Sequence, residues 1–423
     1  MTTQVKPGYK LTEAGVIPED WELSELSAVC MTSSGTTPAR SLADRYYRNG
    51  TTNWVKTLDL NNSEIADTDE LVTQAALEET CLRVYPEGTV LVAMYGGFNQ
   101  IGRTGLLRAP AAVNQAITAV QTKSTLHPEY LLATLNYRVD HWRSVASSSR
   151  KDPNITSQDV RSFKISFPPI KEQRAIAAAL SNMDDLISGL DQLIAKKRDI
   201  QQAAMQQLLT GQQRLPGFSG EWEVKRLGDV AELKQGYTFK SSTYTSIGEF
   251  NIVTIANVQN GYMDISGCNK IDFLPRDIQP HQKLTINDIL ISMTGNVGRI
   301  CRVEEPGCLL NQRVGKLSAT SIDDKFFFYQ ISIPGFIAAM MGKAKGGAQA
   351  NLSTPDITEY LIQVPKSKEE QIAIATILSD MDSELAILEM RCDKARQLKL
   401  GMMQELLTGR IRLSQSSLEA KLC

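Results

Sequence analysis

The sequence predicts an α+β chain: two mixed α/β domains joined by two long helices that form an antiparallel coiled coil, with a pseudo-two-fold internal repeat. Three observations predict it. Short blocks return in the same order about 198 residues later, the mark of a duplicated unit. Each copy closes on a segment whose apolar residues recur at 4-3-4-3 spacing, the period of a two-helix seam. The stretches before those segments carry short apolar strands separated by Gly-, Ser- and Asn-rich loops.

The repeat sets the domain organisation. EQRAIAAALSNMD (172–184) returns as EQIAIATILSDMD (370–382), and MQQLLTG (205–211) as MQELLTG (403–409). Fainter echoes lie between. DWELSELSAV (20–29) matches EWEVKRLGDV (221–230), and TVLVAMYGG (89–97) matches DILISMTGN (288–296). VNQAI (113–117) matches LNQRV (310–314), and NIT (154–156) matches NLS (351–353). The closing segments stay similar while the residues before them keep mainly their framework. The expected layout is a first domain over 1–168, a spacer helix over 169–214, a second domain over 215–366, a second spacer helix over 367–412 and a tail over 413–423.

Each spacer can be read position by position. The first seam runs Ile176, Leu180, Met183, Ile187, Leu190, Ile194, Ala204 and Leu208. The second runs Ile374, Leu378, Met381, Leu385, Leu388, Cys392, Ala395, Met402 and Leu406. Lys197, Gln201 and Lys399 interrupt the seams with polar groups that help fix register. Gly211 and Gly409 follow LLT and suit a helix stop. About 38 residues at 1.5 Å rise make a rod of roughly 57 Å. If the rods pair antiparallel, the tail TGRIRLSQ (408–415), which matches TGQQRLPG (210–217), approaches the N-terminus.

In the domains, strands are expected at Val90–Met94, Ile289–Met293, Ile252–Ile255 and Lys164–Phe167. Three loops recur at matching places: SSGTTPAR (33–40) with KQGYTFKS (234–241), YGGFNQIGR (95–103) with TGNVGR (294–299), and SSSRKDPNIT (147–156) with AKGGAQANLS (344–353). Loops on a rigid scaffold are where binding residues concentrate. These offer Arg, Lys, Asn, Gln, Ser and Thr, the side chains that meet base edges and phosphates.

Composition narrows the function classes. The 423 residues carry 45 Lys+Arg against 47 Asp+Glu, a net charge of −2, which argues against coating nucleic acid by bulk charge. No run approaches the ~18 apolar residues of a membrane span, and the opening MTTQVKPGYKLTEAG does not read as a secretory leader. Seven scattered cysteines without a CxxC, and three histidines, support neither a disulfide framework nor a zinc site; a reducing cytoplasm is the expected compartment. There is no P-loop, since GGFNQIG (96–102) lacks the Lys. DPNI (152–155) lacks the second Pro and the aromatic of an adenine-methyltransferase loop, and His127, His141 and His281 have no nucleophile at a recognisable spacing. No catalytic constellation is expected.

With those features in place, EQRAIAAALSNMD…KKRDIQQAAMQQLLTG and its second copy resemble the conserved regions of type I restriction–modification specificity (S) subunits. The resemblance spans essentially the whole chain. It implies two target-recognition domains, each reading one half of a bipartite, asymmetric double-stranded DNA site in the major groove. It also implies a non-catalytic subunit that assembles with two modification (methyltransferase) subunits and with restriction (ATP-dependent translocase/nuclease) subunits. S-adenosylmethionine, ATP and Mg would then sit in those partners, with no cofactor and no metal on this chain. On that reading the three loops carry the DNA contacts: Thr36, Arg40, Asn99, Arg103, Arg150, Lys151 and Asn154 in the first domain, and Lys240, Asn296, Arg299, Lys345, Gln349 and Asn351 in the second. The competing readings are a protein-only two-domain scaffold and a stand-alone DNA methyltransferase.

The small net charge conceals polarity. Residues 59–87 hold eight acids and one base, whereas 96–151 hold seven bases and two acids. Residues 325–351 hold three bases and no acid. A reader so weakly charged is expected to share its phosphate contacts with partner proteins.

Overall fold

The structure is a computed structural model that describes residues 6–13, 15–97, 99–146, 154–344 and 350–413. It resolves into two compact units. One comprises the chain up to Asp191 together with the segment from Arg391 onward; the other is Gln192–Met390.

The first unit holds a five-stranded sheet in the order β4 (Cys30–Ser34), β12 (Ile117–Thr122), β9 (Val90–Ala93), β10 (Thr104–Leu107), β6 (Ser63–Ile65). Its pairings are antiparallel except that of β6 with β10. A second sheet runs β7 (Leu71–Val72), β5 (Thr52–Val55), β11 (Ala111–Val113), β8 (Val84–Tyr85). Strand β3 (Glu22–Glu25) pairs with β13 (Lys164–Phe167), and β1 (Tyr9–Thr12) with β2 (Gly15–Pro18). The helices are α1 (Leu26–Val29), α2 (Ala43–Tyr46), α3 (Gln74–Glu79), α4 (Pro128–Tyr137), α5 (Val139–Val145) and α6 (Ser157–Arg161).

β9 shows why an uninterrupted apolar run is needed. All four residues of VLVA are fully buried, and successive side chains leave a strand on opposite faces. Val90 and Val92 enter a core with Leu106, Tyr130 and Trp142, while Leu91 and Ala93 enter another with Val55, Leu107 and Ala119. A strand with a packed layer on each face has no polar side to show.

The second unit repeats the plan. One sheet runs β15 (Ala231–Gln235), β21 (Val314–Ala319), β18 (Ile289–Ser292), β19 (Ile300–Arg302), and another β17 (Asn269–Ile271), β16 (Phe250–Val253), β20 (Cys308–Leu310). β14 (Glu223–Arg226) pairs with β22 (Leu361–Val364). Helices α8 (Leu227–Val230), α9 (Asp324–Ser332), α10 (Pro334–Lys343) and α11 (Thr354–Thr358) complete it. β18 divides as β9 does, Ile289 and Ile291 into one core and Leu290 into the other. The four strands expected from sequence are present, three of them shifted by one or two residues and Lys164–Phe167 as expected.

The closing segments are single helices, α7 (Ile170–Leu209) and α12 (Lys368–Leu406). Every seam position expected for them is buried or half-buried. Gly211 and Gly409, just beyond their ends, take φ of 68° and 71°, a left-handed turn that suits glycine. The EQ pair opening each helix has a structural task. Gln173 donates to the carbonyls of Thr125 and Pro168, and the His127 amide donates back to its Oε1 at 2.7 Å. Gln371 repeats this with the Pro365 carbonyl and the Asp323 amide.

The adjoining glutamates are buried and held by arginines. In the first unit Arg412 donates to Glu172 at 2.7 and 2.9 Å and to Asp20 at 2.6 and 2.8 Å, and Tyr9 Oη donates to the Gly409 carbonyl. The tail thus meets the N-terminal segment, as expected for rods that pair antiparallel. In the second unit Arg214 makes the equivalent fork to Glu370 at 2.6 and 2.7 Å. Polar groups on the seams are paired within each unit as well. Lys399 reaches Asp184 and Arg396 reaches Asp191 in the first, and Gln201 reaches Asp382 and Lys197 reaches Glu384 in the second. In both sets the partner number falls as the first rises.

Candidate nucleic-acid interface

In each unit the three recurrent loops converge on one methionine at the end of a central strand. In the first unit the Ile155 amide donates to the Met94 carbonyl at 3.0 Å, joining the third loop to the second. Ser34 and Ser157 hydroxyls lie 3.0 Å apart, joining the first to the residue beyond the third. In the second unit the Leu352 amide donates to the Met293 carbonyl at 2.8 Å, Thr294 Oγ1 donates to Asn351 Oδ1 at 2.9 Å, and Gln235 Nε2 lies 3.5 Å from Thr354 Oγ1. The third loops run into N-capped turns, Thr156 with Asp159 and Ser353 with Asp356, so both end on a satisfied helix start.

The same place includes a turn outside the three loops. Asn114–Gln115 and Asn311–Gln312 precede β12 and β21, and each carries the first loop. Thr37 donates to Gln115, and Thr238 donates to Gln312 at 2.6 Å. Both Gln side chains are exposed. A β-carbon on Gly35 would stand 2.1 Å from the Val113 carbonyl oxygen, and one on Gly236 would stand 2.2 Å from that of Asn311. Glycine is required at both because backbone passes against backbone. The blocks VNQAI and LNQRV carried this signal in the repeat, but only the fold shows that they touch the loops.

The individual candidates differ in what they touch. Thr36 is half-buried; its amide donates to the Val113 carbonyl at 3.0 Å and its carbonyl accepts from Trp54 Nε1. Arg40 forks onto Glu70, with Nη2 at 2.9 Å, and lies over the Tyr47 and Trp54 rings at 4.2 and 5.1 Å. That guanidinium, helped by Lys56, holds the Glu70 carboxyl below its usual range. Arg40 therefore braces the loop as well as standing on it. Arg103 Nε donates to the Asn99 carbonyl at 2.9 Å, closing the second loop on itself. Arg299 is half-buried and donates to Gln259 at 2.6 Å. Asn154 is half-buried, while Asn296, Asn351 and Lys240 are exposed. Arg150, Lys151, Lys345 and Gln349 lie outside the described residues.

Among the described residues no group of His, Cys, Asp or Glu has a metal-holding arrangement, and no helix is long and apolar enough to cross a membrane. The sites offer amides, guanidinia and hydroxyls on duplicated loops, a chemistry of recognition.

Comparison with known proteins agrees with that chemistry. The family described as type I restriction modification DNA specificity domain matches twice, over residues 18–196 and 219–395. The MjaVIII specificity subunit of a type I restriction enzyme from Methanocaldococcus jannaschii is 24% identical, with 94% of each chain covered. The EcoKI specificity subunit of Escherichia coli K12 is 22% identical, covering 84% of this chain and 81% of its own. In fold, the type I restriction–modification S subunit of M. genitalium superposes with a TM-score of 0.60 at 17% identity, covering 95% of this chain and 98% of that one. The two family matches fall one on each repeat and together take in most of the sequence. This chain is a member of the type I restriction–modification DNA specificity family.

Proposed function

We propose that this chain is the DNA sequence-specificity subunit of a type I restriction–modification complex. Each recognition domain reads one half of a bipartite, asymmetric site, and α7 and α12 form the antiparallel coiled coil that sets the unread gap. The carrying observation is the duplication: three loops and an Asn-Gln turn meet at Met94 and again at Met293, with the same backbone bonds and different side chains. One scaffold with two sets of side chains suits two different half-sites. The falling order of polar partners along the long helices supports antiparallel pairing.

The chain acts as a non-catalytic component. Two modification subunits bring S-adenosylmethionine and methyl transfer, and restriction subunits bring ATP, Mg and cleavage. Docking is supported in the second unit by Leu193, Ile200, Ile387 and Met390, apolar residues of the long helices left exposed, the kind of surface a partner covers. Its expected place is the cytoplasm with its partners and the DNA.

Methylome sequencing of the host with and without this gene tests the reading. The expected result is loss of one bipartite methylated motif. An unchanged methylome favours the protein-only scaffold, and methyl transfer by the purified chain alone favours a stand-alone methyltransferase; either overturns the proposal.

A further inference from the structure

Positions 116 and 313 are one place in the fold. Each is the last residue of the Asn-Gln turn, and its carbonyl accepts the amide of the methionine on which the loops converge: Met94 to Ala116 at 2.8 Å, Met293 to Arg313 at 3.0 Å. The backbone is shared, but the side chains are a methyl group and a guanidinium.

Arg313 is unlike the other arginines near the sites. Arg40 is held by Glu70 and Arg299 by Gln259. Arg313 is exposed, and its guanidinium has no partner among the described residues. Its backbone is nevertheless fixed. The Gln312 amide donates to the Tyr237 carbonyl at 2.9 Å, the Gln312 side chain accepts from Thr238, and the Val314 amide closes the turn on Asn311 at 2.9 Å. A free fork on a pinned turn is what base reading needs: the two donors of a guanidinium match the O6 and N7 acceptors of guanine, and geometric precision comes from rigid support.

We propose that the 116/313 position determines specificity, that Arg313 reads a guanine edge in the second half-site, and that Ala116 omits the matching contact in the first. This rests on the DNA-reading function above and adds a residue to it. The experiment uses the assembled methyltransferase complex carrying wild-type chain, Arg313→Ala, Arg313→Lys or Ala116→Arg. It records the methylated motif and competitive binding to duplexes substituted one base at a time.

For Arg313→Ala, one guanine of the second half-site should lose about tenfold to hundredfold discrimination, with the first half-site and the gap unchanged. That unchanged half-site is the internal control for folding and assembly. Arg313→Lys, which keeps the charge but not the planar fork, should show a weaker guanine preference than the wild type while retaining more affinity than the Ala variant. Ala116→Arg should alter the first half-site only. An unchanged second half-site in Arg313→Ala overturns the inference. So does equal weakening on every duplex with a shallower salt dependence, the mark of a phosphate contact. So does a guanine preference in Arg313→Lys as strong as that of the wild type. Absence of any bipartite motif with the wild-type chain would instead overturn the function on which the inference rests.

Discussion

The buried glutamates that open the two long helices give the sharpest test of what holds each unit together. Glu172 and Glu370 are 7% and 2% exposed. A carboxylate so placed is stable only if charge and hydrogen bonds are supplied inside. Arg214→Ala removes both bonds that Glu370 accepts from side chains, at 2.6 and 2.7 Å, and leaves it without a partner among the described residues. Breaking a buried pair in this way costs about 3–5 kcal/mol. Arg412→Ala removes more ion pairs, because Arg412 bridges Glu172 and Asp20. Yet Asp20 is half-exposed and its pair is worth about 0–1 kcal/mol. Glu172 also keeps the Leu413 amide at 3.1 Å, so the remaining loss is about 2–3 kcal/mol.

The arginine with fewer ion pairs should therefore matter more. For units of roughly 200 residues, where 1 kcal/mol moves Tm by ~2–4 °C, the falls are about 10 °C for Arg214→Ala and about 6 °C for Arg412→Ala. Scanning calorimetry reads the size of each fall, and hydrogen exchange assigns it to the unit that carries the substitution. The double variant Arg214→Ala with Glu370→Gln should recover part of the loss, since a neutral amide no longer needs a cation. Arg412→Ala costing as much as Arg214→Ala, or a double variant no better than the single, would refute the reasoning.

Other consequences are equally specific. Gly35→Ala and Gly236→Ala force a β-carbon into the Val113 and Asn311 carbonyls, so each should displace its own first loop and abolish recognition of one half-site only, read in the methylome. His141 packs edge-on to Trp142 and Phe163, and burial lowers its pKa below 6.5. Its unfolded form binds a proton first, so the stability it contributes is complete above pH 6.5 and is lost as pH falls from there to the lower folded value. The Tm of the first unit should drop over that window, and less so in His141→Phe. Burial pushes the Cys30 and Cys301 thiols up to about 12 and Cys308 up to about 11, whereas Cys81 is exposed. Alkylation at pH 8 should modify Cys81 in the native chain and reach the other three only after unfolding, as peptide mass mapping would show.

What could be read from sequence and what could not divide along the range of the interaction. The seams of α7 and α12 were legible because a two-helix seam is written in neighbouring residues, and the buried β9 and β18 because a strand covered on both faces must be apolar throughout. The duplicated loops were legible because two copies could be laid side by side. The arginine forks were not, since Arg412 and Glu172 are separated by 240 residues and nothing in either neighbourhood names the other. Arg40 illustrates the same limit within a domain. It stands on a candidate loop and looks like a phosphate contact, but its partner Glu70 lies in the acidic stretch 59–87. The Asn-Gln turn was visible as a repeated block and silent as to role, because its contact with Thr37 and Thr238 depends on how the first loop crosses the sheet edge.

That acidic stretch also changes the meaning of the near-zero net charge. Three of its eight acids are taken up by arginines rather than left as a surface that offsets a basic one. Glu64 holds Arg108, Glu70 holds Arg40 and Glu79 holds Arg45, each pair joining residues 30 or more apart in the chain. Each of these guanidinia would have to leave a carboxylate before it met a phosphate, so the count of lysines and arginines overstates the cations available to DNA. Binding through Z phosphate contacts makes the affinity fall with salt at a slope of about 0.9Z. On the proposed function, the isolated chain is accordingly expected to bind duplex weakly and with a shallow slope, and a complex with modification subunits to bind with a steeper one. Titrations of a fluorescent duplex over a range of salt concentrations, with and without partners, measure both slopes. A slope in the isolated chain as steep as that of the complex would mean that these pairs open at no cost, and the phosphate contacts would then belong to this subunit.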